Sequence, residues 1–329
     1  MKKALILGVT GQDGSYLADL LLEKGYIVHG LTRKSATGNT KNIKHLINNN
    51  EVFDKTFFVQ RGDMLDPTSL YRIINDVKPH EIYNEADQDH VRWSYDMVGY
   101  SSDITASAVA RLLEIIKQID INIKFFQPVT SNMFGISESE VQNELTFFNP
   151  QSPYAVAKTF AYYTTRYYRQ AFGMHASTAI LFNHESPRRT PDYVTRKITQ
   201  SVARISLGKQ DKLILGDMSA RIDWGYAKDY MEAAWSMLQQ KKPSDYIIAT
   251  GEAHSVKEFV DEAFNVVGLR PEDHVSTAKE FMRPTKTSTL IGDISKAKTM
   301  LNFNPRVRFK DLVKLMVESD IKEQKSFIN

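Results

Sequence analysis

Apolar residues along the chain gather in short runs, separated by turn signals and by stretches at helical spacing. Residues 3–9 form the first run; glycines break it, and then Tyr16, Leu17, Leu20, Leu21 and Leu22 recur on one helix face. That is strand, glycine turn, helix. Further strands are predicted at residues 26–32, 56–60, 81–84, 123–129 and 177–182, with helices near 69–77, 101–119 and 152–172 between them. Alternation of this kind builds βαβ units with right-handed crossovers, so the fold class expected is α/β with a doubly wound parallel sheet. After Phe182 the rhythm changes. Residues 184–191 are polar and proline-broken, and a helix follows from about Val194. Residues 1–182 are therefore read as one domain and 183–329 mainly as a smaller C-terminal α/β domain. The apolar run at residues 246–250 reads as one more strand of the main sheet, so the chain is expected to return to the first domain around residues 219–262. Residues 322–329 read as a polar tail.

Composition narrows the classes. The 329 residues carry 42 Lys+Arg against 39 Asp+Glu, a net charge of +3, with only short basic clusters such as Arg188-Arg189. No nucleic-acid partner is expected. The absence of cysteine excludes a disulfide framework, a thiolate nucleophile and Cys-ligated metal, and makes a cytoplasmic setting the default. Met1-Lys2-Lys3 and the apolar residues after it resemble the start of a signal peptide, but the run ends at Thr10, with no small-residue cleavage site following. No stretch approaches the ~20 apolar residues of a membrane span, so a soluble chain without a membrane partner is expected.

Chemistry first enters at Gly8-Val9-Thr10-Gly11-Gln12-Asp13-Gly14, between the first strand and helix. Glycines there let the backbone approach a pyrophosphate, and the helix N-terminus offers free N–H groups and a positive dipole end, as in Rossmann dinucleotide sites. The second strand ends in Thr32-Arg33-Lys34-Ser35, where an NAD site usually has an acid. Arg33 and Lys34 suit a 2′-phosphate, which favours NADP. Asp63, with Met64 beside it, stands where the adenine amino group would be met. Tyr154 and Lys158 lie four apart on one helix face, a spacing in which an ammonium lowers the phenol's pKa for proton exchange with a sugar hydroxyl. Thr130-Ser131 ends the preceding strand, at the carboxyl edge where such sites assemble.

Together these features resemble the extended short-chain dehydrogenase/reductases, and within them the GDP-mannose 4,6-dehydratase family. The resemblance runs nearly the whole length, through Ser152-Pro153-Tyr154-Ala155, residues 181–189, residues 194–199, Asp223-Trp224-Gly225 and Arg283-Pro284-Thr285. It implies an NADP-dependent reaction on a nucleotide-sugar, GDP-linked by resemblance: oxidation at C4, loss of water across C5 and C6, and return of the hydride to C6. By the same resemblance Tyr154 is the acid/base at O4, Lys158 supports it and binds the nicotinamide ribose, and Thr130 hydrogen-bonds the sugar oxygen. Gln88, Tyr100, His184 and Arg189 match cofactor contacts; Ser94, Asn183, Lys197 and Arg283 match substrate contacts. A homodimer or homotetramer is implied, paired through the helices at residues 101–119 and 152–172, the second rich in aromatics.

The chain departs from that family at chemical positions. The family's catalytic glutamate is Asn132, whose amide has no useful basicity, so dehydration lacks its general base. A run that is Asn-Leu-Ala-Ala-Gln-Ser-His in the family reads Asn84-Glu85-Ala86-Asp87-Gln88-Asp89-His90, bringing three acids to a strand end beside the cofactor. Asp87 or Asp89 could supply the missing base; a divalent metal on Asp87, Asp89 and His90 is a lesser option, and no metal is expected. Ile222 stands where an arginine clamps the diphosphate, with Arg221 one residue earlier; Lys286 and Asn42 replace a family glutamate and arginine. Two other readings stay open. One is a nucleotide-sugar C4 dehydrogenase or epimerase without dehydration, and the other is a noncatalytic cofactor-binding paralogue.

Overall fold

The central strands are buried on both faces, as a parallel sheet sandwiched between helices requires. In the computed structural model, which describes residues 1–36, 38–278 and 289–326, β1 (Lys3–Leu7) pairs in parallel with β2 (Ile27–Thr32) and β4 (Glu81–Asn84). β3 (Phe57–Arg61) joins beyond β2, and β5 (Lys124–Thr130), β7 (Ala176–Leu181) and β11 (Asp245–Ile248) extend the other edge. The result is a seven-stranded sheet of order β11-β7-β5-β4-β1-β2-β3, with order reversal beside β1, where α/β sheets open a ligand crevice. Short pairs complete the strands: β6 (Val141–Gln142) with β14 (Ile291–Gly292), and β9 (Leu213–Leu215) with β13 (Val275–Thr277). β10 (Arg221–Tyr226) lies between β8 (Asn183–Glu185) and β12 (Ala253–Ser255).

Helix starts follow local sequence. α1 (Gln12–Glu23) begins straight from the glycine turn. α2 (Lys44–Ile47) is one turn, and α3 (Pro67–Val77) is capped by Asp66 with proline in its first turn. α4 (Val91–Asp96) and α5 (Val98–Ser102) lead into the helix predicted at residues 101–119, which is interrupted by a π turn at Asp103–Ser107 before α6 (Ala108–Ile119). The widened turn has local partners. Ser101 Oγ donates to Gln88 Oε1 at 3.1 Å, and Thr105 Oγ1 accepts from Gln88 N at 3.4 Å, so both hydroxyls serve the loop after β4. α7 (Pro153–Phe172) is capped by Ser152 and ends at Gly173, whose φ of 71° is a conformation glycine adopts at little cost.

α1 packs on α9 (Ala227–Gln239), α11 (Ser295–Leu301) on β11, and α3 and α7 flank α6. A separate apolar cluster joins α8 (Val194–Ser206), α10 (Val256–Val266) and α12 (Phe309–Ser326) to β9 and β10. Inside it the Arg196 guanidinium pairs with Asp320, which also accepts from Thr199 Oγ1 at 2.7 Å. Arg196 reaches Glu323 at 3.2 Å, Glu323 meets Lys41, and Arg196 Nε donates to the Arg189 carbonyl at 3.2 Å. Among the described residues no helix is long and apolar enough to cross a membrane.

Candidate active site

The carboxyl ends of β1, β2, β4 and β5 open into one cleft of about 1940 Å³, closed on the far side by residues of β8, α8 and β10. Gly8, with φ 79°, turns the chain away from β1; a Cβ there would lie 2.4 Å from the Glu85 carbonyl oxygen. Gly14 lets α1 cross the loop, because a Cβ would lie 2.4 Å from the Gly8 carbonyl oxygen. Gly11, at the N-cap of α1, offers no side chain to its leading N–H groups. Asn39 and Asn42 brace this loop by donating to Thr10 Oγ1 (3.3 Å) and the Thr10 carbonyl (3.1 Å). Arg33, Lys34, Asp63 and Met64 line the same end of the cleft.

At the other end, Tyr154 and Lys158 project from the first turns of α7 toward the end of β5. The Tyr154 phenol shares a hydrogen bond with Thr130. Burial holds that phenol's pKa well up; Lys158 pulls it down, while Asp87 and Asp89 push it up again. Lys158 is buried, donates to the Pro128 carbonyl at 2.9 Å and forms an ion pair with Asp87. Burial opposes its charge, yet Asp87, in contact with it, outweighs the burial and raises its pKa. Asn132 donates from both its backbone N and its amide to Thr130 Oγ1, at 3.2 and 3.1 Å.

β8 and the loop after it face the glycine turn. His184 Nε2 lies 2.8 Å from Asp13 Oδ2 and Nδ1 lies 2.8 Å from the Phe182 carbonyl, so both nitrogens meet acceptors. Burial disfavours the imidazolium, but Asp13 outweighs it and raises the ring's pKa. Arg189 lies over the Tyr193 ring, 3.3 Å from its centroid, with Glu185 at 3.4 Å and Asp89 at 3.5 Å. Ser186 Oγ donates to Gln12 Oε1 at 2.7 Å and ties this loop to α1. Tyr193 and Glu185 were not singled out from sequence; the Glu185/Arg189 pair at four-residue spacing is the signal that was available.

Several predicted residues stand elsewhere. Gln88, Ser94 and Tyr100 are not on the cleft wall: Gln88 holds the His90 carbonyl (2.8 Å), Ser94 donates to Val91 O (2.6 Å), and Tyr100 accepts from Arg33 (3.0 Å). Asn183, Lys197 and Arg221 do line the cleft, but Lys197 donates to Ile214 O at 2.8 Å, and Arg221 turns to Ala253 O and to Glu258. Arg283 lies outside the described residues. Asp87, Asp89 and His90 do not share a centre, since Asp87 turns to Lys158, Asp89 to Arg189, and His90 Nδ1 accepts from Trp93 N. Glu85 is the third acid of that run. Burial and the charge of Asp13 push its carboxyl well above the usual range.

Residues 5–316 match the profile of the GDP-mannose 4,6 dehydratase family. This chain belongs to that family. It is 48% identical to GDP-mannose 4,6 dehydratase 1 of Arabidopsis thaliana over 97% of this chain and 90% of that one. It is 46% identical to the Homo sapiens GDP-mannose 4,6 dehydratase, covering 97% and 91%. The GDP-mannose 4,6-dehydratase of Sinorhizobium fredii is 44% identical, covering 97% of each. Among solved structures, DesIV, a dTDP-glucose 4,6-dehydratase from Streptomyces venezuelae with NAD bound, superposes with a TM-score of 0.86 at 20% identity over 99% and 98% of the two chains. At that identity the likeness is one of fold.

Proposed function

We infer that this chain is an NADP-dependent nucleotide-sugar 4,6-dehydratase, a lyase acting on GDP-mannose or a related GDP-linked hexose. The observation that carries the reading is the convergence of Thr130, Tyr154 and Lys158 in one cleft with the glycine turn at the N-terminus of α1. A nicotinamide dinucleotide fits these residues: the bare N-cap at Gly11 suits the pyrophosphate, and Arg33 and Lys34 suit an adenosine 2′-phosphate. Bound there, the cofactor would accept hydride from C4 and return it to C6. Thr130 and Tyr154 hold O4, and Tyr154 exchanges its proton. Lys158 supports the phenol and holds the nicotinamide ribose.

The proton at C5 needs a base that Asn132 cannot be. Of the two acids whose charge reaches the phenol, Asp87 is buried against Lys158, whereas Asp89, although 3.5 Å from Arg189, keeps a side chain 57% exposed, so Asp89 is assigned this role. The test is incubation with GDP-mannose and NADP, following product mass and keto absorbance. A product lighter by one water is expected; a 4-keto product of undiminished hydroxyl content would sink the dehydratase reading in favour of C4 oxidation alone.

NADP over NAD rests on Arg33. Arg33→Ala should weaken NADPH binding by about 10–100-fold, the worth of a charge-assisted contact, and leave NADH nearly unchanged; equal losses for both would count against the assignment. A second copy of the chain is the expected partner. Val156, Phe160, Tyr163 and Tyr167 form an exposed stripe along α7, continued by Trp93, Met97 and Val98. Sedimentation should give the mass of a dimer or tetramer, and a monomer at micromolar concentration would refute this. A cytoplasmic setting belongs to the same reading, since a chain without cysteine draws nothing from an oxidising compartment; cell fractionation would check it.

A further inference from the structure

Asp87 has no part in the steps assigned above, yet its carboxylate pairs with the Lys158 ammonium inside the cleft. Its carboxylate meets the Lys158 ammonium where both side chains are largely shielded, at 4% and 15% exposure for Lys158 and Asp87. Lys158 has three N–H donors; Pro128 O takes one and Asp87 another. One remains for anything else. We propose that Asp87 is a positioning residue that restrains Tyr154, holding the Lys158 ammonium by its own charge and so withholding that ammonium's field from the phenol.

The physical argument is one of cancellation. An ammonium near a phenol favours the phenolate, and a carboxylate touching that ammonium removes most of the benefit in a buried setting. The geometry places Lys158 Nζ 5.8 Å from the Tyr154 ring centroid, with the acid in contact with that nitrogen. The groups facing the pair can be named element by element. α7 supplies Lys158 and Tyr154 themselves, the end of β5 supplies Thr130, the loop after β4 supplies Glu85, Asp87 and Asp89, the start of α1 supplies Asp13, whose charge reaches Asp87, and the turn before α8 supplies Tyr193. Glu85 is held well above the usual carboxylate range by burial and by Asp13, and Asp89 is drawn toward Arg189. Asp87 is thus the acid that acts on the ammonium by contact. The phenol's elevated pKa accords with this arrangement. Its consequence is that Tyr154 leans toward its protonated form, ready to donate to O4 and slower to take the proton that C4 oxidation releases.

The inference rests on the assignment of Tyr154 above, but its primary test does not need turnover. Difluorotyrosine placed at position 154 has a more acidic phenol, and its fluorine resonance can be titrated in the folded, substrate-free protein. Asp87→Asn keeps an acceptor on the ammonium while removing the charge, and should lower the midpoint by about one to two pH units. Asp87→Glu, which restores the charge, should return the midpoint to its original position, and Asp89→Asn should move it less. With unlabelled protein the acidic limb of the pH–rate profile should shift down in Asp87→Asn, raising the rate at neutral pH on the order of tenfold. A midpoint that stays put or rises in Asp87→Asn overturns the proposal, as does loss of activity in that variant with the fold intact, which would make Asp87 a proton acceptor in its own right. If the fluorine midpoint moves while no variant turns over GDP-mannose, the restraint stands and the substrate reading falls.

Discussion

Tyr154→Phe is expected to cut turnover of GDP-mannose by about 10²–10⁴-fold, the usual contribution of a positioned acid/base. The ring stays, so packing at the start of α7 is preserved, and Thr130 keeps its hydrogen bonds from Asn132. Only the exchangeable proton at O4 is lost. Because the contact strengthens during C4 oxidation, the fall should appear in kcat and in kcat/KM alike, with NADPH affinity changed little. Single-turnover measurements that find C4 oxidation at an undiminished rate would remove Tyr154 from the chemistry.

Restoring a carboxylate with Asn132→Glu should raise the rate of water loss by about 10–100-fold, within the range of general base catalysis. The present amide donates to Thr130 Oγ1. A carboxylate would instead accept from that hydroxyl and keep a lone pair for the substrate. The exchange also bears on Asp89. In the natural sequence Asp89→Asn should abolish most dehydration while sparing C4 oxidation, whereas in the Asn132→Glu background it should cost little. Such non-additivity is what two bases competing for one proton produce. Equal effects of Asp89→Asn in both backgrounds would show that its carboxylate does something other than remove the C5 proton.

The sheet was legible because its strands are short apolar runs and its first crossover carries glycines that no ordinary turn needs. Tyr154 and Lys158 were legible for the same kind of reason: both lie within one helix, so spacing alone puts them on one face. Contacts between loops were not. Lys158 meets Asp87 from a different strand end, and Arg189 meets Tyr193 through a turn whose course no periodicity encodes. The π turn at Asp103–Ser107 reads as plain helix in its hydrophobic pattern, because Thr105 and the flanking Ser101 are met by the backbone N–H and side-chain oxygen of Gln88, in the loop after β4. Nor does motif position reveal protein partners, since Gln88 holds the His90 carbonyl, Ser94 the Val91 carbonyl, and Tyr100 accepts from Arg33.

The buried Arg196–Asp320 pair ties the order of synthesis to the order of folding. Its two members are 124 residues apart, so Arg196 leaves the ribosome long before its partner exists. A guanidinium shut away without an acid costs several kcal/mol, about 3–5 when one member of such a pair is removed. Until α12 arrives, closing α8 over the second apolar cluster is therefore unfavourable. The seven-stranded sheet, whose last strand ends at Ile248, can assemble earlier on the nascent chain. The cluster of α8, α10 and α12 thus closes after the sheet, when Asp320 can meet Arg196.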